Sequence, residues 1–183
     1  MAHENSQHWP IWATETVRLI ESQPAWADLA EDFIGEVQDL LGHWLSSDVL
    51  HVGSTAIPGL PAKPVIDLQA LSQDPDTAIA GAHDALTARS WYFVPRHLDQ
   101  QPWRWFIVRA DPTGQHRLAH LHLMRPGQRR WHEQLAFRDR LRTKPALADE
   151  YTAVKTQAAA DHPDNREAYT QAKAQFIRRV LTT

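Results

Sequence analysis

Two short segments of this sequence have the residue types and spacing to do chemistry. In the first, Val49 to Val52, which reads as a short buried strand, gives way to Gly53-Ser54, with Lys63 ten residues on from Gly53 and Asp67 just beyond it. A strand that ends in Gly-Ser exposes backbone N–H groups and a hydroxyl, which together suit a phosphate. Lys63 adds a mobile positive charge, and a carboxylate at Asp67 is suited to hold a divalent cation against phosphate oxygens. The plain alternative is a proline-rich structural loop followed by an exposed acid. The second segment is His120-Leu121-His122. On a strand, residues two apart point to the same side, so both imidazoles project from one face with Leu118 and Met124. Neutral imidazole suits transition metals. The alternative is two histidines on a solvated face. If the Asp67 strand neighbours this one, an acid and two histidines converge.

A helix around Trp131 adds charge. At 100° per residue its apolar arc is set by Trp131, Leu135, Phe137 and Leu141, and Arg138 and Arg142 fall inside that arc. An arginine on a core-facing stripe needs an anionic partner, because an unpaired buried charge is costly. Asp139 lies on the other side of the helix, which leaves Asp67 or a ligand phosphate, bound bidentately by guanidinium. The bland version is a pair of arginines whose stems pack while their heads reach solvent. Further on, Tyr151 with Lys155 and Tyr169 with Lys173 are i, i+4 pairs, a spacing that reads first as surface support, the alternative being the lining of a nucleotide or substrate cleft.

The elements that must position these groups follow from periodicity. Trp26, Leu29, Phe33, Val37, Leu40, Leu41 and Trp44 recur at three and four, with Pro24 at the first turn, and predict an amphipathic helix. Residues 53–64 hold three prolines and two glycines, which excludes a long helix or central strand. Val65 to Leu71 then predicts a strand with Ile66, Leu68 and Ala70 on an apolar face and Val65, Asp67, Gln69 and Leu71 on a mixed one. A helix at Asp76 to Arg89 leads to strands at Trp91 to Val94, Trp103 to Arg109 and Leu118 to Met124. Helices are predicted at Gln128 to Arg142, Pro145 to Ala160 and Pro163 to Leu181, the last two with proline in the first turn. Thr16 to Ile20 reads as a strand or a short helix. Strands followed by a helical C-terminal third predict an α+β (mixed α/β) fold with helices over one face of a twisted sheet.

Composition bounds the rest. The chain has 183 residues, 43% hydrophobic and 22% charged, with net charge -3. That predicts one domain over residues 1–183, with residues 1–15 a loosely held leader in which Trp9 and Trp12 lie against the body. A mean hydropathy of -0.49 and no apolar run of ~18 residues exclude a transmembrane helix. The first residues lack the pattern of a secretory signal, so a cytoplasmic location is expected. Zero cysteines exclude disulfides, thiolate metal sites and a cysteine nucleophile. A pI near 6.4 argues against nucleic-acid binding over the whole surface. Eleven histidines and eight tryptophans are high counts for this length, which favours looking for metal or acid–base work among the former and packing among the latter.

His51-Val52-Gly53-Ser54-Thr55-Ala56-Ile57-Pro58-Gly59-Leu60, continued by Ala62-Lys63-Pro64-Val65-Ile66-Asp67-Leu68, closely resembles the signature of GrpB family proteins. The His120-Leu121-His122 pair, the Phe137 to Arg142 run, Tyr151, Lys155, Arg166, Tyr169 and Lys173 follow in that family's order. The resemblance runs from about Trp26 onward. It implies a nucleotidyltransferase-like fold, a small mixed sheet flanked by helices. Under it, Gly53 and Ser54 match the phosphate-binding pair, with Thr55 beside them, and Asp67 matches the first acid of an acid–x–acid pair. The chain departs at Gln69, where the second acid would stand, and at His120 and His122, where a third would.

The resemblance thus implies transfer of a nucleotidyl group from a nucleoside triphosphate to a small acceptor. Gly53, Ser54, Thr55 and Lys63 would receive the triphosphate, with Arg138 and Arg142 on its developing charge. Asp67 and Gln69, helped by His122, would hold Mg²⁺, and His120 or His122 would be the base. Two alternatives stand beside it. One is another class of metal enzyme, with a transition metal on Asp67, His120 and His122. The other is a non-catalytic binder of a phosphorylated or anionic small molecule. The expected partner is a nucleotide or similar anion, with self-association compatible with any of these.

Overall fold

A computed structural model describes residues 10–14 and 18–182. Helix α1 (Ala25–Leu41) begins after Pro24, whose ring fixes the helical φ. Its buried stripe is Trp26, Ala30, Phe33, Val37, Leu40 and Leu41. Leu29, expected inward, is 42% exposed, because it lies at the edge of that arc and Ala30 takes the place closer to the sheet. A short turn follows, and then strand β1 (Leu50–Val52) and strand β2 (Ile66–Leu71). After β2 come α2 (Pro75–Ala88), β3 (Trp91–Val94), a one-turn helix α3 (Arg96–Asp99), β4 (Trp105–Ala110) and β5 (Arg117–Met124). The chain ends in α4 (Arg129–Thr143), α5 (Pro145–Asp161) and α6 (Arg166–Thr182). This is the α+β arrangement that the pattern of elements implied.

The five strands form one mixed sheet in the order β1-β2-β5-β4-β3. β2 and β5 run parallel at its centre, and the other neighbours are antiparallel. Strand alternation gives the sheet two different faces. Ile66, Leu68, Ala70, Ala119, Leu121, Leu123, Ile107, Trp105 and Trp91 join the stripe of α1 and Ala78, Ile79, Ala82 and Leu86 of α2 in the main core. The other face carries the polar residues of β2 and β5. In the parallel register Asp67 pairs with His120 and Gln69 with His122, so the predicted convergence of acid and imidazoles is a direct consequence of strand pairing.

The three C-terminal helices enclose a second, smaller core. Leu141, Tyr151, Phe176 and Val180 pack there on Ile57 and Leu60 from the loop after β1. Helices α4–α6 therefore grip the Gly-Ser loop itself. Three local expectations are corrected. Helix α6 starts at Arg166, because Asn165 caps it: its Oδ1 accepts from Ala168 N at 3.0 Å. Pro163 consequently lies before the helix. The strand expected from Trp103 starts at Trp105, after α3 and a turn. Of the segment Thr16 to Ile20, Thr16 and Val17 lie outside the described residues, and Ile20 makes an isolated antiparallel bridge to Ala62. Most of the leader lies outside them too, Trp9 included. Trp12 is buried against Phe106, Val108 and Ala110.

Candidate functional site

Asp67 stands at the centre of the polar face. Its Oδ1 accepts a hydrogen bond from His120 Nδ1 at 2.9 Å and lies 3.7 Å from His122 Nε2. Its other oxygen faces Gly53. A Cβ placed on Gly53 would lie 2.5 Å from Asp67 Oδ2, and Gly53 itself has φ +74 and ψ -168. Both the close approach and the backbone conformation require glycine there. The turn predicted to receive phosphate is thus seated directly on the carboxylate. Burial alone would raise the Asp67 carboxyl, but hydrogen bonding to His120 and His122, and their charge once acid protonates them, hold it well below the usual carboxylate range.

The imidazoles are fixed on all sides. His122 lies between Trp103, 5.6 Å away at 22°, and Phe106, 5.5 Å away at 25°. Its Nδ1 is 2.7 Å from Arg104 Nη1. Arg104 in turn forms a two-pronged pair with Asp99, Nε to Oδ2 at 2.9 Å and Nη2 to Oδ1 at 2.5 Å. Burial, with the Arg104 charge, lowers the His122 pKa, and burial lowers that of His120 to about 4 against the pull of Asp67. Both rings are therefore neutral at pH 7. His120 Nε2 is buried without a hydrogen-bond partner, as is Gln69 Oε1, while Gln69 Nε2 donates to the Trp131 carbonyl at 3.4 Å.

The tyrosine–lysine pairs are the main correction to the sequence reading. They are not surface support: Lys155 and Tyr169 are each 1% exposed, and Tyr151 is buried. Helical spacing alone puts each pair on one face, but α5 and α6 turn those faces toward the Gly-Ser loop. Burial raises the Tyr151 pKa, against the lowering effect of the neighbouring Ser54 hydroxyl. Lys155 Nζ donates to the Pro61 carbonyl. Lys63 and Lys173 both lie over the Tyr169 ring, Nζ to centroid 4.8 and 4.0 Å. Burial depresses Lys155 to about 7, and burial together with the charges of Lys63 and Lys155 depresses Lys173 to about 7. Among the described residues neither Lys155 nor Lys173 has a carboxylate partner. The Asp67 charge acts on Tyr151, Tyr169 and Lys173, while Lys155 is tied to the same loop through the Pro61 carbonyl.

The remaining expected residues are held differently. Thr55 is buried, its hydroxyl accepting from His51 Nε2 at 2.9 Å and donating to the Val65 carbonyl at 3.4 Å. Burial lowers the His51 pKa to about 4. Arg138 Nη1 donates to the His51 carbonyl at 2.8 Å, and Arg142 Nε to the Ala56 carbonyl at 2.8 Å. Asp139, expected on the wrong side, is the carboxylate partner of Arg138 at 2.7 Å, since the flexible guanidinium stem reaches around the helix. Arg142 has 40% of its side chain exposed. The two arginines clamp β1 and the Gly-Ser loop to α4.

One ligand atom from each of Asp67, His120 and His122 lies within 4.8 Å of the others. A single carboxylate with an unpartnered amide oxygen on the same face offers oxygen ligands to at most one divalent cation. It does not fit a pair of metals, because one carboxylate is too little charge to offset four positive charges. A cavity of about 430 Å³ between α2 and the β3–β4 edge shares no residue with this site.

A Gly-Ser turn on a strand carboxylate, set in a mixed sheet between helical layers, defines a nucleotidyltransferase-like fold. The structure of Cid1 in complex with its short product ApU superimposes with a TM-score of 0.54 at 15% identity, over 84% of this chain and 48% of that one. The chain belongs to the GrpB protein family, whose pattern matches residues 16–183. Its relatives include a UPF0157 protein of Pseudomonas aeruginosa, 32% identical over 97% of this chain and 71% of that protein. The crystal structure of GrpB from Enterococcus faecalis has a TM-score of 0.78 and 26% identity, covering 90% of this chain and 95% of that one. Among the described residues no helix is long and apolar enough to cross a membrane.

Arg104, Asp99 and Trp103 are the site residues that the sequence does not single out, and buried Lys155 and half-buried Lys173 are ones it ranks first as surface support. Arg104 falls within the segment read as a strand from Trp103, where a single arginine carries no signal of its partner. The lysines did carry one, an i, i+4 tyrosine partner repeated on two successive helices.

Proposed function

We propose that this protein binds a nucleoside triphosphate with one divalent cation at the Gly53–Ser54 turn and transfers its nucleotidyl group to a small acceptor. The observation that carries the reading is the Gly53 turn seated on Asp67, with Lys155 and Lys173 packed on the same loop side and, among the described residues, lacking a carboxylate partner. Backbone N–H groups of Gly53 and Ser54 receive phosphate oxygens. Lys63, Lys155 and Lys173 supply positive charge to the polyphosphate in a poorly solvated setting, where it is worth more than in water. Arg138 and Arg142 support the loop that carries these groups. Asp67, with Gln69 Oε1 on the same polar face, would hold the cation, Mg²⁺ being the hard ion these oxygens would suit. When bound, such a cation neutralises phosphate charge and aligns the triphosphate for in-line attack.

His120 is the base. The Asp67 carboxylate accepts from its Nδ1–H, which leaves Nε2 as the lone pair that takes a proton from the acceptor hydroxyl. Asp67 fixes the tautomer and steadies the imidazolium that forms. The bond made joins the acceptor oxygen to the α-phosphorus; the bond broken releases pyrophosphate.

A second reading has its own support. Asp67, His120 and His122 form a two-histidine, one-carboxylate set within 4.8 Å, the ligand inventory of several zinc and non-haem iron enzymes. Binding of an anion without turnover is the third.

A thermal-shift screen of nucleoside triphosphates with and without Mg²⁺, followed by assay for pyrophosphate release with candidate small alcohols, separates the three. Ligand at ~100 times its Kd adds ~2.7 kcal/mol, or ~5–10 °C in a chain of this size. The proposal expects that gain only with triphosphate and Mg²⁺ together, and its loss in Asp67→Asn. Stoichiometric iron or zinc in protein purified without chelators favours the second reading. A gain without turnover favours the third.

A further inference from the structure

The Asp67 site contains a hydrogen-bond chain whose donors and acceptors are fixed by chemistry. Asp99 holds Arg104 through Nε and Nη2, which leaves Nη1 for His122 Nδ1 at 2.7 Å. Guanidinium has five donors and no acceptor. His122 Nδ1 must therefore be the unprotonated nitrogen, and the proton of the neutral ring sits on Nε2, facing Asp67 Oδ1 at 3.7 Å. His120, two residues away, has the opposite form. The carboxylate of Asp67 accepts at 2.9 Å from Nδ1 of His120, so its proton is on Nδ1 and Nε2 carries the lone pair. The His122 ring is unable to turn freely between Trp103 and Phe106. Arg104 is itself packed on Phe106, Cζ to centroid 3.8 Å.

We propose that Arg104 is a positioning residue that locks His122 as its Nε2–H tautomer, so that the Asp67–His120–His122 group turns a proton donor toward Asp67 and refuses zinc and iron. A metal-binding imidazole offers a lone pair toward the ion and gives its other N–H to an acceptor. Arg104 enforces the reverse: the nitrogen facing Asp67 is protonated, and the nitrogen with the lone pair is covered by a guanidinium. Only two of the three groups then have lone pairs to give, Asp67 and His120, and the Asp67 oxygen nearer the imidazoles is already an acceptor. This deepens the nucleotide reading, since it selects a hard cation at Asp67 over a transition metal, but it does not depend on turnover. The same arrangement assigns His120, not His122, the lone pair that a general base needs.

The test begins with the unmodified protein, metal-free, labelled with ¹⁵N in its histidine rings. Long-range proton–nitrogen correlation spectra at pH 7, assigned with His120→Gln and His122→Gln, report which nitrogen of each ring is protonated. The expected result is Nε2–H for His122 and Nδ1–H for His120. A protonated Nδ1 on His122 overturns the proposal. Zinc is then titrated by calorimetry into the unmodified protein and into Arg104→Met, which keeps the stem and removes the donor. Outer hydrogen-bond partners shift metal affinity by ~10–100-fold. A gain of at least tenfold is expected in Arg104→Met, and the gain must vanish when His122→Gln is added. Equal zinc affinity with and without Arg104 overturns the proposal. Failure of nucleotide binding in the thermal-shift screen leaves the tautomer result untouched, so the two readings fail separately.

Discussion

Gly53→Ala perturbs the site at one atom and can be worked through from the structure. Gly53 has φ +74 and ψ -168, a region that is almost glycine-only and costs another residue about 1–3 kcal/mol. The added methyl would stand 2.5 Å from Asp67 Oδ2 and 3.0 Å from Asp67 Cβ. Asp67 must then move off His120, and a hydrogen bond to a charged group contributes about 1.5–3 kcal/mol. Together these give roughly 3–5 kcal/mol, or ~6–20 °C in Tm for a chain of this length. Calorimetric unfolding of Gly53→Ala and of the pair Gly53→Ala/Asp67→Ala measures both parts. Without the Asp67 carboxyl only the backbone penalty and the Cβ contact remain, so the two substitutions should couple by about 1.5–3 kcal/mol. If Gly53→Ala lowers stability by less than ~1 kcal/mol, or by the same amount whether or not Asp67 is present, the seating of the turn on the carboxylate is refuted.

Other outcomes follow from the charges. Lys155 and Lys173 titrate near 7 in the fold against 10.5 when unfolded, so the unfolded chain holds more protons between those values and stability rises with pH across them. Urea midpoints should climb from pH 7 to 9.5 and flatten in Lys155→Met/Lys173→Met; a fall in the unmodified protein contradicts the burial argument. Triphosphate binding at pH 8 should take up protons as it restores charge to these lysines, seen as a dependence of binding enthalpy on the buffer's ionisation enthalpy. Lys155→Met alone should leave stability within about 1 kcal/mol, because a buried charge and a hydrogen bond to Pro61 are lost together, yet weaken triphosphate binding at least tenfold. Arg138→Met removes the bond to the His51 carbonyl and should lower stability by about 1.5–3 kcal/mol; a stable variant that loses only ligand affinity would place Arg138 on the ligand instead. Acid should also destabilise the protein between pH 6.5 and about 4, where His51 and His120 are protonated in the unfolded chain but not in the fold; a flat urea midpoint over that range refutes the burial of those rings.

The part of the site built on strands was legible because strand periodicity is rigid. Once Asp67 and Gln69 share a face, and His120 and His122 share another, only the pairing of β2 with β5 is needed to bring the four together. Nothing comparable links Lys155 and Lys173 to Ser54 across about a hundred residues. An i, i+4 pair fixes one helix face, but which way that face points depends on how α5 and α6 pack on Ile57 and Leu60. Arg138 and Arg142 show the same limit. Their inward placement was read correctly in part, yet their partners proved to be backbone carbonyls of a distant loop, which carry no signature in side-chain type. The start of α6 depended on weighing Asn165 as a cap against Pro163 as a first-turn residue, and the cap prevailed. Arg104 was hidden because its significance lies in one nitrogen of a histidine eighteen residues later.

The most direct test of the account is calorimetric titration of nucleoside triphosphate into the protein in the presence and absence of Mg²⁺, repeated with Asp67→Ala. The account requires one site per chain whose affinity rises at least tenfold with Mg²⁺ and whose Mg²⁺ dependence disappears with the Asp67 carboxyl. Binding that is indifferent to Mg²⁺, or unchanged in Asp67→Ala, would contradict it.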